Sequence, residues 1–270
     1  MNQRLPETVT QAVTTEPVRY ERDARGVITL TLNRPQAFNA LSEAMLAALQ
    51  TAVERIAADA SARVVVLAAE GKAFCAGHDL KEMRAEPSLD YYQRLFAQCS
   101  RFMLALQQLP VPVIAQVQGI ATAAGCQLVA MCDLAVAVRE ARFAVSGVNL
   151  GLFCSTPSVA LSRNLGRKAA FEMLVTGAFI SADEAKDKGL INRVVDAADL
   201  QAETAKLVDS ILAKPRVAIA AGKGLFYRQL ETGIDAAYED AARTMACNMM
   251  DPSALEGVQA FIDKRPPNWN

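Results

Sequence analysis

A chain of 270 residues, 52% hydrophobic and 21% charged, is long enough to bury a large core, as one large domain or one domain plus an appendage. Its 28 Lys and Arg are interspersed with 29 Asp and Glu for a net charge of −1, so no basic face is evident and nucleic acid is a poor partner. The six cysteines lack C-x-x-C spacing and lie mostly in apolar runs, which predicts reduced, buried thiols in a cytosolic protein.

Residues 1–17 are polar, lack an apolar signal core and read as a flexible tail. Tyr20 and Val27–Leu32 flank a turn-like stretch at 22–26 and predict an opening hairpin. Ser42 can cap a helix whose Leu46, Leu49, Val53 and Ile56 form one apolar face. Val64 to Leu67 predict a buried strand, and Ser88 or Asp90 begins a helix running to about Leu109. Val113–Val117 and Leu134–Val138 predict two more buried strands, with a buried helix over Ala121–Met131 between them. Continuous apolar strands alternating with helices argue for a covered parallel sheet, an α/β fold. After Ser155 the pattern is mostly helical, with one strand predicted at Asn192–Val195. Residues 102–132 carry no charge, but Pro110, Pro112, Gly119, Gly125 and scattered glutamines break the run, so it marks the core rather than a membrane span.

Two glycine-containing turns carry the chemistry. The first runs from Phe74 through Gly77 and His78 to Leu80, the second from Gly119 through Gly125 to Gln127. Each follows a strand-like run and leads into a helix-like run. A backbone N–H from each can converge on one oxygen and stabilise negative charge developing on a carbonyl.

These turns belong to a longer set of segments. They are Leu32-Asn33-Arg34-Pro35 with Asn39-Ala40-Leu41, Ala73 through Met83, Ala123-Ala124-Gly125-Cys126-Gln127-Leu128 with Met131-Cys132-Asp133, Gly147 through Leu152, Leu174 through Gly177 with Ala185 through Leu190, and Phe261 through Arg265. Their types and order resemble the crotonase (enoyl-CoA hydratase/isomerase) superfamily over about residues 18 to 267. That resemblance implies a spiral of ββα units over 18–205 and a helical trimerisation region over 206–270 that closes over coenzyme A. It implies a homotrimer or dimer of trimers, and an acyl-CoA thioester as substrate with no separate cofactor and no metal. The thioester oxygen would lie between the N–H groups of His78 and Ala124, beside Ala76. Lys81 matches a lysine that reaches the ribose phosphate of coenzyme A, and Phe261 and Lys264 match the pair that closes over the nucleotide.

The resemblance breaks where protons move. The two glutamates of the hydratases fall on Gln127 and Gly147 here. Glutamine orients a water but cannot take its proton, and glycine only leaves space. His78, the sole histidine, is a candidate proton carrier or a structural residue. Asp79 reads as a helix cap and Asp133 as a helix terminator. Asn149 and Cys154 fall on the segment that faces the acyl pocket in this family, Cys154 as pocket lining. Three functions stay open: an enoyl-CoA hydratase, a methylmalonyl-CoA-type decarboxylase, and a non-catalytic acyl-CoA binder.

Overall fold

The computed structural model describes residues 16–85 and 87–269, so the N-terminal stretch expected to be a tail falls almost wholly outside the described residues. The chain opens with the expected hairpin, β1 (Val18–Arg22) antiparallel to β2 (Val27–Leu32), closed where Asp23 accepts backbone N–H bonds from Arg25 and Val27. Helix α1 (Glu43–Ala58) is capped by Ser42, whose hydroxyl accepts the Met45 N–H at 3.1 Å. Its Leu46, Leu49, Val53 and Ile56 are all buried, as their helical spacing requires.

Strands β3 (Val64–Ala69), β5 (Val113–Val117), β7 (Leu134–Val138) and β10 (Arg193–Val195) extend β2 into one six-stranded sheet in the order β1-β2-β3-β5-β7-β10. Every pairing in it beyond the opening hairpin is parallel. The Val and Ala runs of β3, β5 and β7 are almost entirely buried, the mark of a sheet covered on both faces. Helix α3 (Leu89–Gln108), capped by Ser88, packs against α1.

The sequence signals did not foresee a second sheet. Strands β4 (Ala73–Cys75), β6 (Ile120–Thr122), β8 (Arg142–Ala144) and β9 (Ile180–Ser181) pair in the order β4-β6-β8-β9. At two or three residues each they are too short to show a period. One consequence is that the helix expected over Ala121–Met131 begins later, as α4 (Ala124–Met131), because β6 takes up the first part of the turn.

The second half is helical: α5 (Ser155–Asn164), α6 (Arg167–Thr176), α7 (Ala182–Asp187), α8 (Leu200–Leu212), α9 (Arg216–Gln229), α10 (Ile234–Met249) and α11 (Pro252–Ile262). A short α2 (Leu80–Ala85) follows the first turn. Helix α9 is tied to the core by a buried ion pair. Lys223 Nζ donates to Asp133 at 2.7 Å and to the Val111 carbonyl at 3.0 Å. The same carboxylate accepts the Tyr227 hydroxyl at 2.8 Å and the Val113 N–H at 2.6 Å. Asp133 is therefore not the terminator of α4 but the anchor of a later helix. Burial pushes the Lys223 pKa down, against the pull of Asp133, and pushes the Tyr227 phenol up. At the far end Trp269 donates its indole N–H to the Ala213 carbonyl at 3.1 Å.

Five cysteines are buried thiols, as expected, while Cys247 on α10 is exposed. Among the described residues no helix is long and apolar enough to cross a membrane, and no group of three or more His, Cys, Asp or Glu is placed to hold a metal ion.

Candidate active site

The two glycine turns meet because their backbones are in contact. A Cβ on Gly125 would lie 2.1 Å from the Cys75 carbonyl oxygen, so only glycine lets the start of α4 press against β4. Gly77 has φ +90, and a Cβ there would stand 2.9 Å from the Ala123 Cβ and 3.3 Å from the Ala124 nitrogen. The first turn is thus seated directly on the first residue of α4. As the first residue of that helix, Ala124 has an N–H without an intrahelical acceptor. Among the described residues, no turn, loop or cap hydrogen bond uses the N–H of either His78 or Ala124.

Ala123, immediately before α4, holds φ 51 and ψ −122, a conformation that non-glycine residues rarely adopt. Such a residue costs about 1–3 kcal/mol and persists only where its surroundings fix it. The Ala123 N–H is held by the Ala144 carbonyl at 3.0 Å, so pairing with β8 sustains the strained turn that orients Ala124.

In front of these turns lies a cavity of about 310 Å³. Ala76, His78, Ala124, Gly147 and Cys154 all line it. The remaining wall is mainly apolar, with Leu80, Met83, Phe96, Leu152, Phe153 and Pro157, and the hydroxyl side chains of Ser146, Ser155 and Thr156 complete it. Among the described residues, no carboxylate, lysine or arginine lines it. Ser146 is fixed to the second turn by its contact with the Thr122 hydroxyl at 3.0 Å.

His78 sits half-buried, its ring edge-to-face with Phe96 at 5.4 Å between centroids. Nδ1 lies 3.3 Å from the Leu41 carbonyl oxygen. A carbonyl only accepts, so Nδ1 carries the proton and Nε2 presents a lone pair. Nε2 is buried and has no hydrogen-bond partner. Burial lowers the His78 pKa, opposed by the bond to Leu41, so the ring is neutral at neutral pH.

Other expected site residues are placed differently. Gln127 is 4% exposed and does not line the cavity; its Oε1 is buried without a partner behind the first turn of α4. Gly147 does not leave space, contrary to expectation. A Cβ there would meet the Leu152 carbonyl oxygen at 2.4 Å and the Cys154 sulfur at 2.7 Å, so the glycine admits its own loop rather than a ligand. Cys154 Sγ accepts the Gly147 N–H at 3.3 Å, and burial pushes its pKa up, which keeps it a thiol. Exposed Asn149 points toward Gly177, donating to its carbonyl at 3.4 Å, away from the cavity wall. Lys81 is exposed on α2, beyond the cavity. Asp79 accepts the backbone N–H groups of Lys81 and Glu82 at the start of α2, as a cap does, and pairs with Arg34 at 3.5 Å. Phe261 is 85% exposed at the end of α11, and Lys264 follows with φ 55. The structure thus groups five of the expected residues and leaves Gln127, Lys81, Asn149, Phe261 and Lys264 outside the cavity lining.

Leu41 and Ser146 escaped the sequence reading as site residues. Leu41 lay within a quoted motif, but its part is played by a backbone carbonyl, which no side-chain pattern announces.

Comparison with known proteins agrees with this arrangement. Residues 22–270 match the enoyl-CoA hydratase/isomerase family. The chain is 45% identical over 253 residues to enoyl-CoA hydratase domain-containing protein 3, mitochondrial, of Xenopus laevis, covering 94% of this chain and 86% of that protein. Among solved structures it resembles an enoyl-CoA hydratase of Mycobacterium smegmatis, with 72% identity, a TM-score of 0.93, and coverage of 94% of this chain and 98% of that one. It also resembles human enoyl Coenzyme A hydratase domain-containing protein 3, with 45% identity, a TM-score of 0.90, and coverage of 94% and 100%. The expected cytosolic placement is corrected here, because these vertebrate relatives are named as mitochondrial proteins. Free, buried thiols do not by themselves choose a compartment. With a crotonase fold and the match spanning nearly its whole length, the chain belongs to the enoyl-CoA hydratase/isomerase family.

Proposed function

We propose that the protein is an acyl-CoA thioester enzyme that stabilises a thioester enolate between the N–H groups of His78 and Ala124, with enoyl-CoA hydration as its nominal reaction. The observation that carries this reading is the seating of Gly77 on Ala124, which brings the two residues bearing these N–H groups to one largely apolar cavity. The first is on the turn leaving β4 and the second is the free N–H at the start of α4. An enolate places negative charge on the thioester oxygen, and fixed donors in a dry site lower its energy without reorganisation. One such donor contributes about 3 kcal/mol to lowering the barrier. Relatives named as enoyl-CoA hydratases support the substrate class.

In this reading Ala76, Gly147 and Cys154 shape the acyl pocket, Gln127 backs the start of α4, and no cofactor beyond the substrate is needed. Lys81, Phe261 and Lys264 serve the coenzyme A portion at or beyond the cavity mouth. The working form is a homotrimer or dimer of trimers. Its support is the apolar surface that the last helices leave uncovered, including Phe226, Ile234, Tyr238, Met245 and Phe261.

The test is a panel of CoA thioesters followed by mass spectrometry, with binding measured in parallel and the mass in solution determined by light scattering. Hydration of at least one enoyl-CoA above the uncatalysed rate is expected. Binding without any turnover would reduce the protein to an acyl-CoA binder, and neither binding nor turnover would overturn the reading.

A further inference from the structure

His78 is the one imidazole on a cavity whose other lining residues include no carboxylate. We propose that the His78 imidazole, through Nε2, transfers the protons of the reaction, and that Asn39 is the positioning residue that sets it there through the Leu41 carbonyl. This rests on the acyl-CoA reading above and names the residue that would carry its chemistry.

Three observations converge on His78. It lines the cavity, and the other lining residues include no carboxylate or lysine. Its Nδ1 is committed to Leu41, which fixes the tautomer. Its Nε2 is left buried without a partner. An unsatisfied buried polar atom costs about 1–3 kcal/mol and calls for an explanation, of which a catalytic role is one. Cys154, the other ionisable lining side chain, is occupied by the Gly147 N–H.

Asn39 explains how the imidazole is held. It is fully buried, with φ 54. Its side-chain amide donates to the carbonyls of Glu70 at 2.8 Å and Ala73 at 2.9 Å, and its Oδ1 accepts the Arg34 N–H at 2.9 Å. The first two bonds fasten the 34–41 loop to the entrance of β4, and the third closes the loop on itself. The loop then zips onto the first turn: Ala76 N–H donates to the Phe38 carbonyl at 3.0 Å, and Leu41 N–H to the Gly77 carbonyl at 2.7 Å. The Leu41 carbonyl is thereby presented to Nδ1. The same zipper orients the turn that carries the His78 N–H, so one loop sets both the donor and the imidazole.

The chemistry balances on one nitrogen. In hydration, once the bound thioester opens the buried Nε2 to the cavity, neutral Nε2 takes a proton from water as the water oxygen bonds to Cβ. The Cα=Cβ electron pair then becomes the thioester enolate. The imidazolium returns its proton to Cα and the thioester re-forms, so one water has been added. With a saturated acyl-CoA, Nε2 removes and returns an α-proton without net change.

As the sole histidine, His78 can be observed directly. In protein labelled with ¹⁵N-histidine, two-bond ¹H–¹⁵N correlation is expected to show Nδ1 protonated and Nε2 bare at neutral pH, with the signal moving when butyryl-CoA is added. In D₂O, butyryl-CoA is expected to gain deuterium at Cα, read by mass spectrometry. His78→Gln, which keeps the backbone N–H, should slow that exchange about 100-fold or more. Asn39→Ala should slow it by a smaller factor and shift the imidazole toward the Nε2-protonated tautomer. Asn39→Asp, which keeps only the acceptor, substitutes if the alanine variant does not fold. An Nε2-protonated wild-type ring, or exchange undiminished in His78→Gln, overturns the proposal. An unchanged tautomer in the Asn39 variant, or failure of both variants to fold, assigns Asn39 to the fold alone and overturns the positioning role. A shift on butyryl-CoA without exchange overturns the base and leaves thioester binding standing. Neither shift nor exchange overturns the acyl-CoA reading with it.

Discussion

The Cys154 sulfur accepts the Gly147 N–H at 3.3 Å and stands 2.7 Å from where a Gly147 Cβ would be. The loop before α5 is closed around that absent side chain. Gly147→Glu should therefore fail to install a cavity carboxylate and should give no gain in hydration. Gly147→Ala alone should cost about 1–3 kcal/mol through overpacking. Adding Cys154→Ala should recover only part of that loss, because the Leu152 carbonyl at 2.4 Å is backbone and stays. Denaturant unfolding of the single and double variants measures this.

Gly125 offers a sharper probe of the two turns. A methyl there would collide with the Cys75 carbonyl at 2.1 Å and push α4 off β4. The shift moves the Ala124 N–H relative to His78 while leaving the chemical identity of every cavity side chain unchanged. Gly125→Ala should lower kcat/KM for any accepted thioester by about 100-fold or more, the scale of losing one oxyanion donor. It should do so with a smaller change in acyl-CoA affinity. Steady-state kinetics with parallel binding measurements checks the split.

The elements that bury long runs were legible in the sequence, and those that work by close approach were not. Strands β3, β5 and β7 announced themselves as unbroken apolar runs, and α1 by its spacing and its Ser42 cap. The glycine turns were legible because a tight backbone passage needs glycine in a recognisable frame. Strands of three residues such as β4 and β8 carry no period, so the second sheet was invisible. Gly147 looked like room for a ligand, since nothing in the chain signals that Leu152 and Cys154 fold back onto it. Asp133 looked like a helix terminator because its partner, Lys223, lies 90 residues further on. The Leu41 carbonyl holding His78 is likewise a tertiary fact, made by a group that every residue possesses.

The Asp133–Lys223 pair predicts how firmly α9 is docked. Both side chains are largely buried, with 14% and 7% exposed. Removing one partner from a buried pair costs about 3–5 kcal/mol, because the remaining charge has left water without compensation. Lys223→Met should lose somewhat less, since Tyr227 and Val113 still donate to Asp133. Asp133→Ala, which strands the ammonium with only the Val111 carbonyl, should lose more. The exposed pair of Arg228 with Asp240 serves as a control, and Arg228→Ala should cost under about 1 kcal/mol. Urea unfolding ranks the three, and proteolysis within α9 should accelerate in the same order.

The neutral, buried imidazole of His78 ties stability to pH. Burial lowers its folded-state pKa below the ordinary value of 6.5. Between the folded value and 6.5 the unfolded chain therefore binds more protons than the native one, so unfolding free energy rises with pH in that window. The contribution is fully present above 6.5 and is lost as pH falls toward the folded value, below which both states are charged. In wild type, the urea midpoint should drop as pH is lowered from 7 toward 5. His78→Gln should drop less over the same range, since the other titrating groups are common to both. Parallel pH profiles for the two proteins would contradict the buried neutral ring. So would an NMR titration of the lone histidine that centres at or above 6.5, since either result would mean that His78 is as free to take up a proton in the folded chain as in the unfolded one.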